Sequence, residues 1–382
     1  MKRSSKIIWI IVIVIIIAIA VSTWIIYANQ NLKQSSSIAS IKIGAILPLT
    51  GQMSRYGELE KSGLQTALEK INNNGGINGK KLEVIFEDST SQAKGAISSW
   101  SKILLEKDIN LIIATISNTC QALSPIANND KIVLMSSDCA VASYSSPNDY
   151  TFRILSSNKK EGEQMAELLI NKGIKTISIM KINNDYGEGL VKYFSEAYEN
   201  MGGIIKNTES YNSDEKDFKG LLSKIKNSSP QAIYLISYAP DAEIILKQIK
   251  ELNINFPLFA AEPFANNTLI KNAAQYAEGT IYLRSTISEN GKTFMEEYKQ
   301  KNGVNPEIGT ARTYDALNVI TVALKICEQK NNLTSNCIKD ELYKIKDYNG
   351  TIGKIGFDIN GDVDIPYVVQ TVKDGQFVPY NN

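Results

Sequence analysis

The sequence contains no histidine, and this absence excludes several kinds of active site. Without imidazole the chain cannot build a Ser-His-Asp or Cys-His relay, a His-ligated zinc site or a histidine pH switch. The chain also has almost no net charge. Its 41 Lys and Arg residues are balanced by 40 Asp and Glu residues, which gives a formal net charge of +1. Such a balance provides no basic field for nucleic acid. We therefore expect neither a histidine-dependent enzyme nor a nucleic-acid partner.

Charged residues are completely absent from Ile7 to Tyr27, a stretch that reads IIWIIVIVIIIAIAVSTWIIY. As a helix it would span about 31 Å, close to the ~30 Å of a bilayer core. Trp9 and Trp24 lie near its ends, where aromatic rings prefer the membrane interface. The basic residues within 1–6 precede it and predict that the N-terminus stays in the cytoplasm. We therefore predict a cytoplasmic tail at 1–6, a transmembrane signal anchor at 7–27, and a globular part outside the cytoplasm at the cell membrane.

The sequence favours a retained anchor over two alternatives. Ala18-Ile19-Ala20 has the small residues of a signal-peptide cleavage site, but the apolar run continues beyond it and is longer than a usual signal core. A lipoprotein is disfavoured because the first cysteine of the chain is Cys120. Residues 28–40 are polar and rich in serine, as expected of a flexible linker between membrane and globular part.

Cysteine is scarce, with four residues in the chain. In an exported domain they predict disulfides, and four cysteines allow three pairings. The most local pairing joins Cys327 to Cys337 and Cys120 to Cys139.

Short β-rich apolar runs alternate with amphipathic helical segments from Ile41 onward. The runs Leu111–Ala114 (LIIA) and Ala232–Ile236 (AIYLI) are continuously apolar, which is typical of parallel strands covered on both faces. The strand–helix order predicts doubly wound α/β layers. A length of 382 residues is too great for one compact core and indicates two domains.

A faint internal repeat supports two similar units. Tyr-Gly-Glu occurs at 56–58 and again at 186–188, each time between a predicted strand and a predicted helix. Because ligands of open α/β sheets bind beyond the carboxyl ends of the strands, Tyr56 and Tyr186 would face a cleft between two lobes. The alternative is that the triplet recurs by chance or only caps each helix.

Several segments together resemble one known family. They are IGAILPLTG at Ile43–Gly51, INNNGGING at Ile71–Gly79, LEVIFED at Leu82–Asp88, YTFR at Tyr150–Arg153 and NDYGEG at Asn184–Gly189. Over residues 41–382 the sequence resembles the type I periplasmic binding proteins of the Leu/Ile/Val-binding kind. These proteins are the extracytoplasmic receptors of branched-chain amino acid ABC transporters.

The resemblance implies an α/β fold of two doubly wound lobes joined by three crossings, with a ligand in the hinged cleft. Lobe one would comprise residues 41–156 and 286–349, and lobe two residues 157–285 and 350–382. The crossings would lie near Leu155–Asn158, Leu283–Ser288 and Tyr348–Gly353.

The resemblance also implies a ligand set in lobe one. The loop ending at Thr119 matches the loop that binds the amino-acid carboxylate, with Ser117 or Asn118 as the donor beside a helix N-terminus. Ser117 could instead serve only as a helix cap. Asp138 and Ala140 match a second ligand loop, in which Ala140 stands where the family usually has a threonine.

In lobe two, Glu262 matches the carboxylate that pairs with the ligand's α-ammonium, and a charge-assisted bond in a closed cleft is strong. Without the resemblance, Glu262 would be interpreted as a solvated loop residue. Tyr186 and Tyr238 of lobe two and Tyr56 of lobe one match aromatic cleft residues that would cover an apolar ligand side chain. Each could alternatively be an ordinary core or surface tyrosine.

On the same resemblance, Cys120 and Cys139 would lie on neighbouring loops at the rim of lobe one, where a disulfide would fix the ligand loop. Cys327 and Cys337 would join the turn between two helices. Free buried thiols are the alternative for these cysteines.

The expected function is a membrane-anchored, monomeric solute-binding protein that captures an aliphatic or branched-chain amino acid and delivers it to an ABC permease. The alternative is a sensory ectodomain for an amino acid or small amide that works with a separate signalling partner. No nucleophile–base pair, metal cluster or phosphate loop is visible in the sequence, so we expect no enzyme activity, metal or cofactor.

Overall fold

The computed structural model of the chain describes residues 19–24, 40–213 and 215–381. Residues 19–24 are helical and exposed. The predicted tail at 1–6, most of the predicted anchor at 7–27 and nearly all of the predicted linker at 28–40 lie outside the described residues. Among the residues that are described, no helix is both long enough and apolar enough to cross a bilayer.

The first lobe is built on a five-stranded parallel sheet with the strand order β2-β1-β3-β4-β5. Its strands are Ile41–Leu47 (β1), Leu82–Asp88 (β2), Leu111–Ala114 (β3), Val133–Ser136 (β4) and Thr151–Arg153 (β5). Every residue of β3 and β4 is buried, which agrees with the prediction of parallel strands covered on both faces.

The second lobe is built on a seven-stranded sheet with the order β14-β13-β10-β9-β8-β6-β7. The parallel strands are Thr176–Ile182 (β6), Ile204–Tyr211 (β7), Ala232–Ile236 (β8), Leu258–Ala260 (β9) and Ile281–Ser285 (β10). A small antiparallel ribbon, Tyr348–Asn349 (β11) and Lys354–Ile355 (β12), precedes the last two strands of the chain. Those two strands, Tyr367–Lys373 (β13) and Gln376–Pro379 (β14), join the sheet antiparallel at the edge beside β10.

Helices cover the faces of both sheets. In chain order they are Ser54–Asn73 (α1), Ala93–Ile103 (α2), Ser117–Asp130 (α3), Asn158–Asn171 (α4), Asp185–Asn200 (α5), Lys219–Ser228 (α6), Ala239–Glu251 (α7), Asn267–Ala277 (α8), Glu289–Asn302 (α9), Ile308–Gln329 (α10) and Ser335–Lys344 (α11). Two short 3₁₀ helices lie at Ala142–Tyr144 and Glu262–Phe264.

Helix α10 is buried on almost every side because it packs against α1 and against the core of the first lobe. Its neighbour α1 buries Leu64, Ala67 and Ile71, which recur at helical spacing. Gly63 of α1 lies directly against the Thr310 carbonyl and the Thr313 hydroxyl of α10, so a side chain at this position would collide with them. The close approach of the two helices positions the start of α10 beside the cleft.

The third crossing between the lobes lies later than the sequence predicted. Ile352, Phe357 and Ile365 pack into the core of the first lobe, and the second sheet resumes only at Tyr367. The expected crossing at Tyr348–Gly353 therefore moves to residues after Ile365. Apolar side chains between the two positions bind the segment to the first lobe, because they would otherwise face water.

Hydrogen bonds join the three crossings to one another. The Ser156 hydroxyl oxygen accepts a bond from the Ile365 amide at 2.8 Å, and the same hydroxyl donates to the Ile365 carbonyl at 2.9 Å. The Thr286 amide donates to the Pro366 carbonyl at 3.1 Å. The hinge is thus a single bonded unit made of three chain segments.

The four cysteines separate into one disulfide and two thiols. Cys327 and Cys337 form a disulfide between the end of α10 and the start of α11, which confirms that pairing. Cys120 and Cys139 are buried free thiols, so the predicted second disulfide is wrong. The Cys120 sulfur contacts the Ser136 hydroxyl at 3.1 Å, and this hydroxyl also accepts a bond from the Cys139 amide at 3.0 Å. Ser136 thus contacts both cysteines without a bond between the sulfurs.

Candidate functional site

A cavity of about 80 Å³ lies between the two lobes, beyond the carboxyl ends of strands of both sheets. Open α/β sheets bind their ligands at this end of the strands. A buried water needs roughly 10–15 Å³ by the same measure, so the cavity has room for a small molecule. The apolar part of the wall includes Met53, Leu59, Ile116, Leu155 and Ile308. Five acidic residues and Arg312 form the charged part of the wall, which we call the charged side.

The repeated Tyr-Gly-Glu triplet has the same local role in both lobes. Gly57 and Gly187 each pack against a backbone carbonyl at the end of the preceding strand, that of Pro48 and that of Ile182 respectively. A side chain at either glycine would collide with that carbonyl. The preceding tyrosines, Tyr56 and Tyr186, both line the cavity.

A third tyrosine joins these two into an aromatic cluster. The Tyr238 ring centroid lies 5.8 Å from that of Tyr56 and 5.7 Å from that of Tyr186. The Tyr56 hydroxyl also accepts a hydrogen bond from the Ala239 amide at 3.2 Å. Since Tyr56 belongs to the first lobe and Ala239 to the second, this bond joins the lobes across the cleft.

The N-terminus of α3 points at the cavity from a strained backbone. Ile116, the residue before the helix, has φ 59° and ψ 141°, a conformation that is essentially restricted to glycine and costs about 1–3 kcal/mol. Ser117 follows it and is 3% exposed, and its hydroxyl accepts a bond from the Ala140 amide at 3.3 Å. Strain of this kind persists where packing over-determines it and is concentrated at binding sites. Here it aims the helix N-terminus at the cleft.

A buried ion triad spans the charged side of the cavity. The Arg312 guanidinium on α10 donates to Glu262 at 2.6 Å and to Asp138 at 2.6 Å. It also donates to the Ser285 hydroxyl at 2.7 Å, and the Ser285 amide donates to Glu262 at 2.7 Å. Glu262 is thus enclosed in the cleft, as predicted, but its carboxylate already has a cationic partner from the protein.

The pKa values of this side differ according to their neighbours. Burial alone would raise the pKa of Glu262, but the Arg312 charge and the Ser285 hydrogen bonds outweigh it, so the pKa lies below its ordinary value. Burial raises the pKa of Asp138 in spite of Arg312. Burial and the nearby Asp138 raise the pKa of Glu60 well above the ordinary range. Burial and the Glu262 charge raise the pKa of Glu161 to about 8.

The structure brings seven of the nine predicted ligand residues to the cavity wall: Tyr56, Ser117, Asp138, Ala140, Tyr186, Tyr238 and Glu262. The other two lie elsewhere. Asn118 lines a neighbouring cavity and donates to the Ser91 carbonyl at 3.1 Å. Thr119 is fully buried within α3 and does not line the cavity. Direct contact of any of the nine with a ligand stays a prediction.

Four charged residues of the wall were not predicted from the sequence. Glu307 lies at the N-cap of α10, and the other three are Glu60, Glu161 and Arg312. Glu60 lies on the buried stripe of α1, and Glu161 lies on that of α4. Arg312 is 3% exposed within the buried helix α10. The available signal was the same in all three: a charged residue at a core-facing position of a predicted helix, where charges are rarely tolerated without a partner. Among the described residues, no group of acidic residues or cysteines is arranged to hold a metal ion.

Comparison with known proteins agrees with this geometry. The family model described as "Periplasmic binding protein" matches residues 40–376. The chain belongs to this family. The type I fold and the Leu/Ile/Val-binding resemblance expected from the sequence are thereby confirmed. As a periplasmic binding protein, the chain is a substrate-binding protein rather than an enzyme, with its globular part outside the cytoplasm.

Similar proteins support the assignment over most of the chain. A leucine-, isoleucine-, valine-, threonine- and alanine-binding protein of Pseudomonas aeruginosa is 25% identical over 86% of this chain and 88% of its own. The leucine-binding protein LivK of Thermotoga maritima is 26% identical, with a TM-score of 0.81 over 89% of this chain and 98% of its own. The branched-chain amino acid transporter substrate-binding protein LivJ of Streptococcus pneumoniae, solved with isoleucine, is 26% identical, with a TM-score of 0.80 over 88% of this chain and 97% of its own.

Proposed function

We propose that this periplasmic binding protein is the extracytoplasmic receptor of an ABC transporter and captures an aliphatic or branched-chain amino acid in the cleft. The names of the relatives above support the ligand class. The observation that carries the proposal is the cavity itself, in which apolar, aromatic and acidic side chains together line one small volume between the two lobes.

The groups that line the cavity are complementary to the carboxylate, the ammonium group and the side chain of an amino acid. Its carboxylate would lie at the N-terminus of α3, near Ser117, where backbone amides and the helix dipole favour an anion. Its ammonium would lie on the acidic side, to which Asp138 and Glu262 belong. Its side chain would contact the aromatic cluster and the apolar wall. Since these groups come from both lobes, a bound amino acid favours the closed state.

A thermal screen of the purified full-length chain tests this function. The twenty amino acids, urea and small amides are each added at millimolar concentration, and the melting temperature is recorded. A ligand that binds only the folded protein raises the melting temperature. At a ligand concentration of 100 times Kd, binding adds about 2.7 kcal/mol to the free energy of unfolding. We expect leucine, isoleucine or valine to give the largest increase. If amides raise the melting temperature and amino acids do not, the ligand is an amide and the proposed ligand class is wrong.

We further propose that residues 7–27 stay attached and anchor the monomeric receptor in the cytoplasmic membrane. The charge-free sequence of this stretch and the basic residues before it support the proposal. Alkaline carbonate extraction of membranes from cells that make the full-length chain tests it. An anchored chain stays with the membrane pellet, whereas a chain cleaved after Ala20 appears in the supernatant and shows a lower mass.

A further inference from the structure

The Arg312–Glu262 ion pair has a consequence for the way the cavity receives a ligand. Both charged groups are nearly inaccessible, with side chains 4% and 6% exposed. Their 2.6 Å contact joins the first lobe to the second. An ammonium group arriving at Glu262 would have to compete with a guanidinium that is already held by three oxygen partners. Removing that partner from a buried ion pair is costly.

Two other carboxyls of the cavity are less completely paired. Asp138 gives only one oxygen, Oδ1, to Arg312, while its Oδ2 is buried and accepts no bond from an N–H or hydroxyl donor of the described chain. The Glu60 carboxyl is another ionisable neighbour of Asp138. Glu60 is 2% exposed and accepts one bond, from the Thr115 hydroxyl at 2.7 Å. Both carboxyl groups belong to the first lobe and line the same wall.

The two carboxyls meet beside Gly309, the second residue of α10. A methyl group built on Gly309 would lie 3.4 Å from Asp138 Oδ2 and 3.8 Å from the Glu60 side chain, with no other described neighbour within 4 Å. The absence of a side chain at Gly309 therefore leaves a space that faces both acids. The space is bounded by an Asp138 carboxylate oxygen and by the Glu60 side chain, and Gly309 itself lines the cavity.

The charge balance of the wall points the same way. Among the described residues that line the cavity, the carboxyls of Glu60, Asp138, Glu161, Glu262 and Glu307 face a single guanidinium. Burial raises the pKa of Glu60, Asp138 and Glu161, and a second cationic group beside these acids would favour their charged forms, whereas an added anion would disfavour them. The Tyr186 hydroxyl, on a residue 3% exposed, also lines the cavity without a hydrogen-bond partner in the described chain.

We propose that the ammonium group of the ligand is bound between Glu60 and Asp138 in the first lobe, and that Arg312 keeps Glu262 as a structural tie between the lobes. The inference rests on the proposed function, because an amino acid provides the ammonium. It also fits the carboxylate site. The ammonium and carboxylate share one carbon atom, and Asp138 lies two residues before Ala140, whose amide contacts Ser117.

Titration calorimetry on the full-length chain tests the inference with three probes. They are L-leucine, 3-methylbutylamine, which lacks the carboxylate, and 4-methylpentanoate, which lacks the ammonium. We expect the wild type to bind L-leucine and the amine more tightly than the acid. Glu60→Gln should weaken L-leucine and the amine by at least tenfold and leave the acid unchanged. Glu199→Gln, an exposed glutamate outside the cavity, is the matched control.

A second variant, Gly309→Ala, tests the same site independently in case Glu60→Gln does not fold. Gly309→Ala places one methyl group in the space between the acids at ordinary contact distances, and alanine favours a helix over glycine. We expect it to melt no lower than the wild type and to lose affinity for L-leucine and the amine. Glu262→Gln should weaken the amine less than Glu60→Gln does.

The outcomes separate the inference from the function. If the amine loses affinity in Glu60→Gln while no amino acid stabilises the wild type, the amino-acid function fails and the ammonium site stands. If L-leucine binds Glu60→Gln and Gly309→Ala as tightly as the wild type, and Glu262→Gln abolishes binding, the inference is overturned and the function stands. If neither L-leucine nor the amine binds the wild type more tightly than 4-methylpentanoate, the inference is also overturned.

Discussion

Arg312 carries a positive charge into a cavity wall where every other ionisable side chain among the described residues is a carboxylic acid or a tyrosine. Its three short hydrogen bonds satisfy two carboxylates and one hydroxyl at once. At the scale of single residues, the stability of the cavity wall therefore depends on a few buried charges that pair with one another. Changing one of them leaves another without a partner.

Replacing Arg312 by methionine leaves Glu262 and Asp138 buried without their cation. We expect the free energy of unfolding to fall by about 3–5 kcal/mol, the usual cost of breaking a buried pair. Urea unfolding of the full-length chain measures it. In the double variant Arg312→Met with Glu262→Gln, part of the loss should return, because one uncompensated charge is gone. A double variant as unstable as the sum of the two single variants would show that the pair is not coupled.

Glu161 makes the stability of the fold depend on pH. The groups that face it are Glu262, Arg312, Tyr186, Tyr234 and Tyr367. Its folded pKa of about 8 lies above its ordinary value of 4.5, so the folded state holds a proton that the unfolded state releases. The associated stability is fully present below about pH 4.5 and is lost as the pH rises through about 8.

Glu161→Gln should remove this dependence and keep an oxygen to accept the Glu262 amide bond. We expect the melting temperature of the variant to exceed that of the wild type at pH 9 by several degrees more than it does at pH 5. Melting curves of both proteins at the two pH values measure the difference. If the difference in melting temperature between the variant and the wild type is the same at pH 5 and pH 9, Glu161 is ionised in the folded state at both pH values.

At the scale of elements, α10 is the helix that connects fold and site. Its middle packs in the first-lobe core, its start presents Gly309 and Arg312 to the cavity, and its end is held by the disulfide. Repeated apolar runs and helix stripes were enough to predict strands such as β3 and β8 from the sequence. The orientation of α10 could not be predicted, because it depends on the close contact at Gly63 with a segment far along the chain.

Gly63→Ala should force α1 away from α10. The added methyl would collide with the Thr310 carbonyl, and we expect a loss of about 1–3 kcal/mol of stability, typical of overpacking. Gly220→Ala is the matched control, since Gly220 lies in α6 with no atom within 4 Å of the added methyl. There, alanine should stabilise the protein by about 0.5–1 kcal/mol. Denaturant midpoints of both variants distinguish a packing effect from a general effect of glycine replacement.

The Cys327–Cys337 disulfide closes a short segment with a sequence separation of 10. Such a loop contributes about 2–3 kcal/mol by restricting the unfolded chain. The double replacement by serine should therefore lower the free energy of unfolding by this amount. Adding dithiothreitol to the wild type should lower its stability comparably and leave the double variant unchanged. A shift of the variant on reduction would reveal a further disulfide.

At the scale of the whole molecule, the structure is closed around the cavity by bonds between the lobes. Besides the Arg312 pair, the Tyr56 hydroxyl meets the Ala239 amide, and Glu307 accepts a bond from the Asn267 amide at 3.0 Å. These contacts exist only when the lobes are together. They stabilise the closed state in addition to the contacts that a bound ligand makes with both lobes.

Tyr56→Phe removes the bond to the Ala239 amide and keeps the aromatic ring. A net hydrogen bond is worth about 0.5–1.5 kcal/mol, so we expect the affinity for L-leucine to fall by roughly twofold to twelvefold. Calorimetry measures the change, and Tyr276→Phe, at a residue that lines a separate pocket of the second lobe, is the control. If affinity were unchanged in Tyr56→Phe, this bond would make no net contribution to closure.

The two-lobed plan was predictable because the strand–helix order and the motifs at Ile43–Gly51 and Asn184–Gly189 are local features of the sequence. The cavity position of Tyr56 and Tyr186 followed from the strand ends that precede them. The role of Arg312 did not follow, because it depends on partners that are 174 and 50 residues away in the chain. Long-range charge pairing leaves no periodic signal.

The bonded hinge limits the number of ways in which the molecule can move. Because Ser156 holds both backbone groups of Ile365, the first and third segments cannot slide past each other without breaking two bonds at once. A rotation of one lobe about the bonded crossings keeps both bonds intact, so a pair of fluorophores, one on each lobe, would report how far the cleft opens while the hinge stays bonded.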